Sequence, residues 1–414
     1  MNSRSLQLGL VLALALILRL LAWHVIGDAR VPWDYEFEEI AKNLATTGEY
    51  SSSFYHLTQT QPTSFQPPVY PLFLAGVGSL SPGIGLTNAL QIFISCVTVL
   101  ALYALARALV GSRGQAILAA AFLAVYPPSV AYAVTLSTVT FESFFVITAT
   151  LLLIRAGKLF VPYAAAGSGI LFALACLTRS AWLVALPLAL VWILFYRQAA
   201  IADRLRLAAP LVLAWAVVMA PWAAYNYKTQ GKWMLTSTNG GLNFWIGNNP
   251  KATGEYVFPT DLDSALVASV AEWPEPARDL FFYEKGFDYI RSSPRQFISL
   301  AARKMQYFFL FRPGIGSTYE QASLPLTFGR WLFIGSWLIL VPFSVYGLVA
   351  SRRLWRMHAF LIAIILSQAA IAAAYFVGTR FRTPLDGYAL IWAAAGMEAL
   401  WIRFSASALP GSSS

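Results

Sequence analysis

The sequence predicts an all-α polytopic membrane protein with about ten transmembrane helices. Three observations carry this. The runs 6–25, 331–350 and 358–377 hold a single Lys, Arg, Asp or Glu among them, Arg19. A helix of about 20 apolar residues rises about 30 Å, the depth of a bilayer core. Composition agrees: 58% of residues are hydrophobic, 12% are charged and mean hydropathy is +0.61, against about 25% charged in a water-soluble domain. Finally, the cations of the short loops fall on alternate connections, as the positive-inside rule requires.

In order, the expected spans are 6–26, 85–110, 115–132, 137–154, 161–177, 181–196, 207–225, 331–350, 358–377 and 387–402. Residues 1–27 resemble a secretory signal peptide, but no small-residue cleavage motif precedes Asp28, so the segment is read as a retained first span. With a cytoplasmic N-terminus, one set of loops holds Arg107, Arg113, Arg155, Lys158, Arg197, Arg204, Arg206, Arg352, Arg353 and Arg356. The net charge of +10 is then topological and implies no nucleic-acid partner. Two long polar segments face the other side, an acidic loop 27–66 and a loop 226–330. Residues 69–80, within a segment 67–80, are apolar but too short to span and predict a helix at the outer face. The piece 277–311 looks amphipathic. No internal repeat is evident, and a Ser-rich tail follows the last span. The whole chain, 1–414, is therefore read as one membrane domain without a separate soluble C-terminal domain.

Chemistry must lie in the polar stretches and in the charges that intrude on spans. Cys96 and Cys176 sit in apolar runs and read as small core residues. The three histidines are scattered and form no metal cluster. From Tyr35 to Leu44 the apolar positions share one helical face, which places Asp34 at its start. Asp34 is then either an N-cap or a carboxylate held at the membrane face as a general base. Arg19 lies deep in the first span, Glu142 one turn into the fourth, and Arg179 interrupts an apolar stretch. Arg380 and Arg382 flank Phe381 before Pro384. Such groups are costly in lipid and face an interior. Snorkelling or structural pairing accounts for Arg19 or Glu142 taken singly. As a group at the outer half of the membrane, these arginines with a carboxylate suit an anionic, membrane-bound substrate, phosphate above all. The residue before a proline disfavours helix, so extended backbone at 380–383 would turn both guanidinium groups to one side and Phe381 to the other. The stretch 240–250, rich in Asn, Gly and aromatics, reads as a turn cluster or as a sugar-binding loop.

An ordered series of short motifs resembles the GT-C glycosyltransferases of the protein-mannosyltransferase and aminoarabinose-transferase type. It runs from Arg19 and the acidic loop through Ile40-Ala-Lys-Asn-Leu44, Gly48-Glu-Tyr-Ser and Pro67-Pro-Val-Tyr-Pro71. It continues with Tyr126-Pro127, Glu142, Leu177-Thr-Arg179, Pro221-Trp222, Tyr225-Asn226 and Gly240-Gly241-Leu-Asn243 to Asn249-Pro. Tyr289-Ile-Arg, Lys304 and Arg380-Phe-Arg382-Thr-Pro384 close it. Departures are visible. Where the family often pairs Asp with Glu, Trp33-Asp34-Tyr35 stands, with Glu36 as the displaced acid. Gln66 stands where the aminoarabinose branch often has Lys, and Tyr225 where Arg is frequent.

The resemblance implies a hexosyl or pentosyl transferase that moves a sugar from a polyprenyl-phosphate donor to a glycan, lipid or protein acceptor, with inversion, at the periplasmic or extracellular face of an inner (plasma) membrane. The candidate catalytic groups are Asp34, Glu36 and Glu142. Arg380, Arg382, Arg179, Arg19 and Lys304 are candidates for the lipid phosphate. Asn243, Trp245, Asn248, Asn249, Gln66 and Tyr70 are candidates for sugar or acceptor. The resemblance fixes no cofactor; a divalent cation stays open, because hard cations need only oxygen ligands. Two other classes fit the spans: a flippase or transporter for lipid-linked sugars, and a non-catalytic membrane assembly protein. A transporter would put ionisable groups near the midplane of repeated halves.

Overall fold

Residues 3–26, 36–81, 83–196, 200–310 and 324–407 are described by the computed structural model, and they are almost entirely helical. Helix α1 is Ser3–Ile26, followed by α2 (Glu36–Thr47), a small hairpin of β1 (Ser51–Ser52) and β2 (Gln61–Pro62), and α3 (Val69–Leu80). Next come α4 (Gly85–Val110), α5 (Arg113–Val125), α6 (Pro127–Tyr132), α7 (Val139–Leu159) and α8 (Pro162–Cys176). A 3₁₀ turn, Ser180–Val184, precedes α9 (Ala185–Tyr196) and α10 (Ile201–Gln230). The long loop holds α11 (Gly240–Gly247), α12 (Pro259–Ser269), α13 (Glu275–Ser292) and α14 (Pro294–Phe309). The chain closes with α15 (Leu324–Ala350), α16 (Trp355–Ala374) and α17 (Thr379–Ser407).

Local chemistry sets many of these ends. Gly111 takes φ +77° and donates its N–H to the Arg107 carbonyl, ending α4. Ser112 then accepts from the Gln115 N–H and starts α5. The expected span 115–132 is broken: Pro127 and Pro128 cannot donate to the preceding turn, so α5 stops at Val125 and α6 restarts on the prolines. The amphipathic piece 277–311 is likewise two helices, split at Ser293-Pro294.

The protein is a multi-pass membrane protein: among the described residues six helices are long and apolar enough to cross a bilayer. Arg113–Val125, Pro162–Cys176 and Ser180–Phe195 are shorter apolar helices, and α17 carries charges along its length. At one end of the bundle Ser112 donates to Glu398 at 3.1 Å, and the Trp192 indole donates to the Arg356 carbonyl at 2.8 Å. The opposite end carries α2, α3, the hairpin and α11–α14. There the Val69 N–H reaches the Leu177 carbonyl, and Asn248 reaches the Ala374 carbonyl. We call this the loop face. It has its own apolar core, including Phe54, Phe65, Trp245, Ile246, Phe282 and Phe376.

Glu275, the first residue of α13, ties this face together. Its carboxylate accepts from Thr63 Oγ1 (2.5 Å), the Ser64 N–H (2.8 Å), Thr238 Oγ1 (2.7 Å) and Gln230 Nε2 (3.3 Å). Four donors from three segments satisfy one charge, which a half-buried carboxylate needs.

Candidate functional site

Residues from six segments converge on one recess at the loop face. Glu36 opens α2 and receives a hydrogen bond of 2.5 Å from Gln66 Nε2. Gln66 Oε1 in turn accepts from Asn239 Nδ2 at 3.1 Å, Ser237 bonds Asn239 Oδ1 at 2.9 Å, and the Ser237 and Ser180 hydroxyls meet at 2.8 Å. This chain of polar groups runs from the carboxylate to the residue beside Arg179. The Tyr55 hydroxyl lies beside Glu36, and that of Tyr256 beside Tyr55. Burial pushes the Glu36 carboxyl above the usual carboxylate range, while the Tyr55 and Gln66 donors and the Arg380 charge oppose the shift.

Arg179 sits on extended backbone between α8 and the 3₁₀ turn, with φ −153° and ψ 127°. That conformation breaks the helical path and turns its side chain across the bundle. Its guanidinium lies 3.3 Å from Glu142 and 4.6 Å from the centre of the Phe381 ring. It keeps 20% of its side chain accessible, whereas Glu142 keeps 1%. Glu142 also accepts from Thr138 Oγ1 at 2.6 Å and Trp182 Nε1 at 2.8 Å. Arg380 places its guanidinium 5.3 Å from the same Phe381 ring and 5.9 Å from the Tyr256 ring. Two guanidinium groups thus share one aromatic ring, close enough for their charges to oppose each other, with Glu36 nearby. A dianionic phosphate placed between them would relieve that repulsion.

The other candidates divide clearly. Asp34 lies outside the described residues. The expected extended stretch at 380–383 is helical: α17 begins at Thr379 and runs through Pro384, and Thr383 Oγ1 donates to the Thr379 carbonyl. Pro384 falls in the first turns, where it removes only one backbone donor. Arg380 and Arg382 therefore do not share a side, and Phe381 turns into the recess. Arg382 is buried, bonded to Asp386 at 3.0 Å and stacked at 3.7 Å on the Trp337 ring. It also donates to the carbonyls of Phe308 and Leu310. Tyr126 completes that group by donating to Asp386 at 2.7 Å.

Arg19 is fully buried and donates to Ser95 Oγ, Ser129 Oγ and the carbonyls of Ala15 and Ala124, joining α1 to α4, α5 and α6. Lys304 bonds the Gly247 and Ala373 carbonyls and Asn248, and burial pushes its pKa down to about 8. The stretch 240–250 is not a turn cluster but a buried helix. Trp245 is in the loop-face core, and the Asn248 and Asn249 side chains cap its carbonyls. Asn243 is half-buried on that helix. Tyr70 is buried and donates to Gln91 at 3.0 Å.

Sequence reasoning missed Tyr55, Tyr256, Ser237 and Asn239. Only the last carries a signal, the Asn-Gly-Gly turn chemistry at 239–241. Among the described residues no group of three His, Cys, Asp or Glu is placed to hold a metal ion, and the α2 acids diverge: Glu36 faces the recess, Glu38 is buried, and Glu39 Oε1 accepts from Ser53.

With this geometry in hand, solved structures supply the comparison. The chain is similar to the oligosaccharyltransferase of Archaeoglobus fulgidus in its apo form, at 15% identity and a TM-score of 0.58. The match covers 98% of this chain and 51% of that one. The same archaeal enzyme in complex with an inhibitory peptide and a dolichol-phosphate matches at 15% identity, TM-score 0.54, over 100% and 52% of the two chains. ArnT from Cupriavidus metallidurans bound to undecaprenyl phosphate matches at 15% identity, TM-score 0.44, over 95% and 78%. The chain shares the fold of the archaeal oligosaccharyltransferase and spans about half the length of that protein. No protein-family model and no curated protein sequence matches it.

Proposed function

We propose that the protein is a glycosyltransferase that moves a sugar from a polyprenyl-phosphate donor to a hydroxyl of a glycan, lipid or protein acceptor, at the periplasmic or extracellular face of an inner membrane. The observation that carries this reading is the recess itself: a carboxylate, Glu36, with Arg179 and Arg380 on a shared aromatic ring. A dolichol-phosphate bound to an archaeal protein of the same fold supports a lipid-phosphate donor here.

In this reading the acceptor oxygen attacks the anomeric carbon while the carboxylate takes its proton. A carbon–oxygen bond forms, the bond from the anomeric carbon to phosphate breaks, and its electron pair leaves on the phosphate. A single displacement inverts the anomeric carbon. Arg179 and Arg380 stabilise the charge that develops on the leaving phosphate, and Glu142 holds Arg179 in place. A positioned base contributes about 10²–10⁴-fold in rate, and burial that raises the Glu36 carboxyl above its ordinary range favours that role. Arg382, Arg19 and Lys304 hold the scaffold.

The test is turnover of a polyprenyl-phosphate sugar by Glu36→Gln and Asp34→Asn variants, with donor binding measured alongside. Glu36→Gln is expected to bind donor and lose turnover. Normal turnover in Glu36→Gln together with loss in Asp34→Asn would move the base to Asp34.

A further inference from the structure

Among the described residues three non-glycine residues take positive φ, and two of them are adjacent: Tyr55 at +48° and His56 at +59°. They are the two central residues of the turn closed by the Leu57 N–H on the Phe54 carbonyl, where positive φ at both is the type I′ pattern; histidine favours that region, whereas tyrosine holds it only where its surroundings enforce it. Here the surroundings do. The Ser53 N–H and hydroxyl both donate to Glu39 Oε1 at 2.8 Å, the Phe54 N–H donates to Thr58 Oγ1 at 3.1 Å, and the Leu57 N–H donates to the Phe54 carbonyl at 2.9 Å. Arg278 caps the Phe54 ring at 3.7 Å. Edge-to-face contacts with Phe54 (5.0 Å) and Phe65 (6.3 Å) then fix the Tyr55 ring.

All this rigidity ends at one hydroxyl. An ionised carboxylate only accepts hydrogen bonds, so between Tyr55 and Glu36 the tyrosine is the donor, and the Tyr256 hydroxyl lies beside it. Tyr256 packs 5.3 Å from Phe376 and under the Arg380 guanidinium at 5.9 Å. A second donor chain, Asn239 to Gln66 to Glu36, arrives from another part of the fold. Two relays that start about 17 residues apart in the long loop, a separation over which a flexible loop keeps no fixed geometry, converge on a single carboxylate.

We propose that Tyr55 is a positioning residue for the reaction: aimed by the left-handed step at Tyr55–His56 and backed by Tyr256, it orients the Glu36 carboxylate toward the acceptor hydroxyl. This rests on Glu36 as the base. The charged and titratable groups that face Glu36 are Tyr55, Tyr256 and Arg380 from other segments and Glu38 and Glu39 from its own helix. Removing the Tyr55 donor withdraws a hydrogen bond from the charged form, which raises the Glu36 pKa further. Activity that needs the ionised base then falls away at a higher pH.

The test compares Tyr55→Phe, Tyr256→Phe and Glu36→Gln with the parent in purified protein, using a polyprenyl-phosphate sugar as donor. Tyr55→Phe keeps the ring and its packing. Expected are a kcat about tenfold or more below the parent, on the scale of a lost hydrogen bond to a charged group, and an acid limb of kcat/KM shifted to higher pH. Binding of the polyprenyl phosphate and the thermal midpoint should stay those of the parent. Tyr256→Phe should move the limb the same way by less, and decides the matter if Tyr55→Phe does not fold. An unmoved acid limb in the folded variants, with Glu36→Gln inactive, overturns the positioning role and leaves the base standing. Full turnover in Glu36→Gln overturns both.

Discussion

Glu36 and Glu38 stand two apart on α2 and meet opposite surroundings. Glu36 is held by donors in the recess. Glu38 is buried, its Oε2 has no hydrogen-bond partner, and burial pushes its carboxyl up to about 7. A carboxyl raised above its unfolded value contributes stability below that ordinary value and loses it as pH rises through the folded pKa. The thermal midpoint of the purified parent should therefore fall between about pH 5 and pH 8. Glu38→Gln should flatten that slope and gain on the order of 3 kcal/mol at the alkaline end. An unchanged slope would mean that Glu38 finds a partner in solution. The two arginines that flank Phe381 separate in the same way. Arg382→Lys loses the Asp386 bond geometry and the Trp337 stack, so its cost of about 1–3 kcal/mol should appear in thermal unfolding.

Between elements, α15 and α17 cross in close contact. A Cβ on Gly347 would lie 1.8 Å from the Trp392 carbonyl oxygen, and one on Gly396 would lie 2.2 Å from that of Phe343. Backbone meets backbone there, in the manner of small residues at membrane helix interfaces. Either Gly347→Ala or Gly396→Ala must push the helices apart, which we expect to cost about 1–3 kcal/mol or more in detergent-solubilised protein. A midpoint equal to the parent's would show that the crossing relaxes freely. Periodicity made α3 legible to the residue, because an apolar run between Pro68 and Ser81 has natural stops. It also gave the existence of α2. The break at Pro127 was written in the sequence but overridden by the apolar run around it. The recess was only half legible. Glu36, Gln66, Arg179 and Arg380 announce themselves as charged or polar groups near spans, whereas Tyr55 and Tyr256 look like any loop aromatics until folding joins positions about 200 residues apart. The stretch 380–383 is helical where extended backbone is expected, because the rule for residues before proline is a tendency and a helix start tolerates it.

At the scale of the whole molecule, the bundle has a plain end and a loop face, and the recess belongs to the loop face. From the alternating cations we propose that this face lies outside. In a background lacking Cys96 and Cys176, a cysteine at Ser53 or Thr253 should react with impermeant reagent in intact cells, and one at Ala199 should not. The opposite pattern would invert the orientation. The central claim is that this recess releases a lipid phosphate. The most direct measurement incubates purified protein with a panel of polyprenyl-phosphate sugars and an acceptor extract and quantifies polyprenyl phosphate set free. The account predicts release from at least one donor, lowered in Arg380→Lys by about 1–3 kcal/mol in kcat/KM, since a lysine cannot reproduce a planar guanidinium fork. Absence of release from every donor, or a rate in Arg380→Lys equal to the parent's, would contradict it.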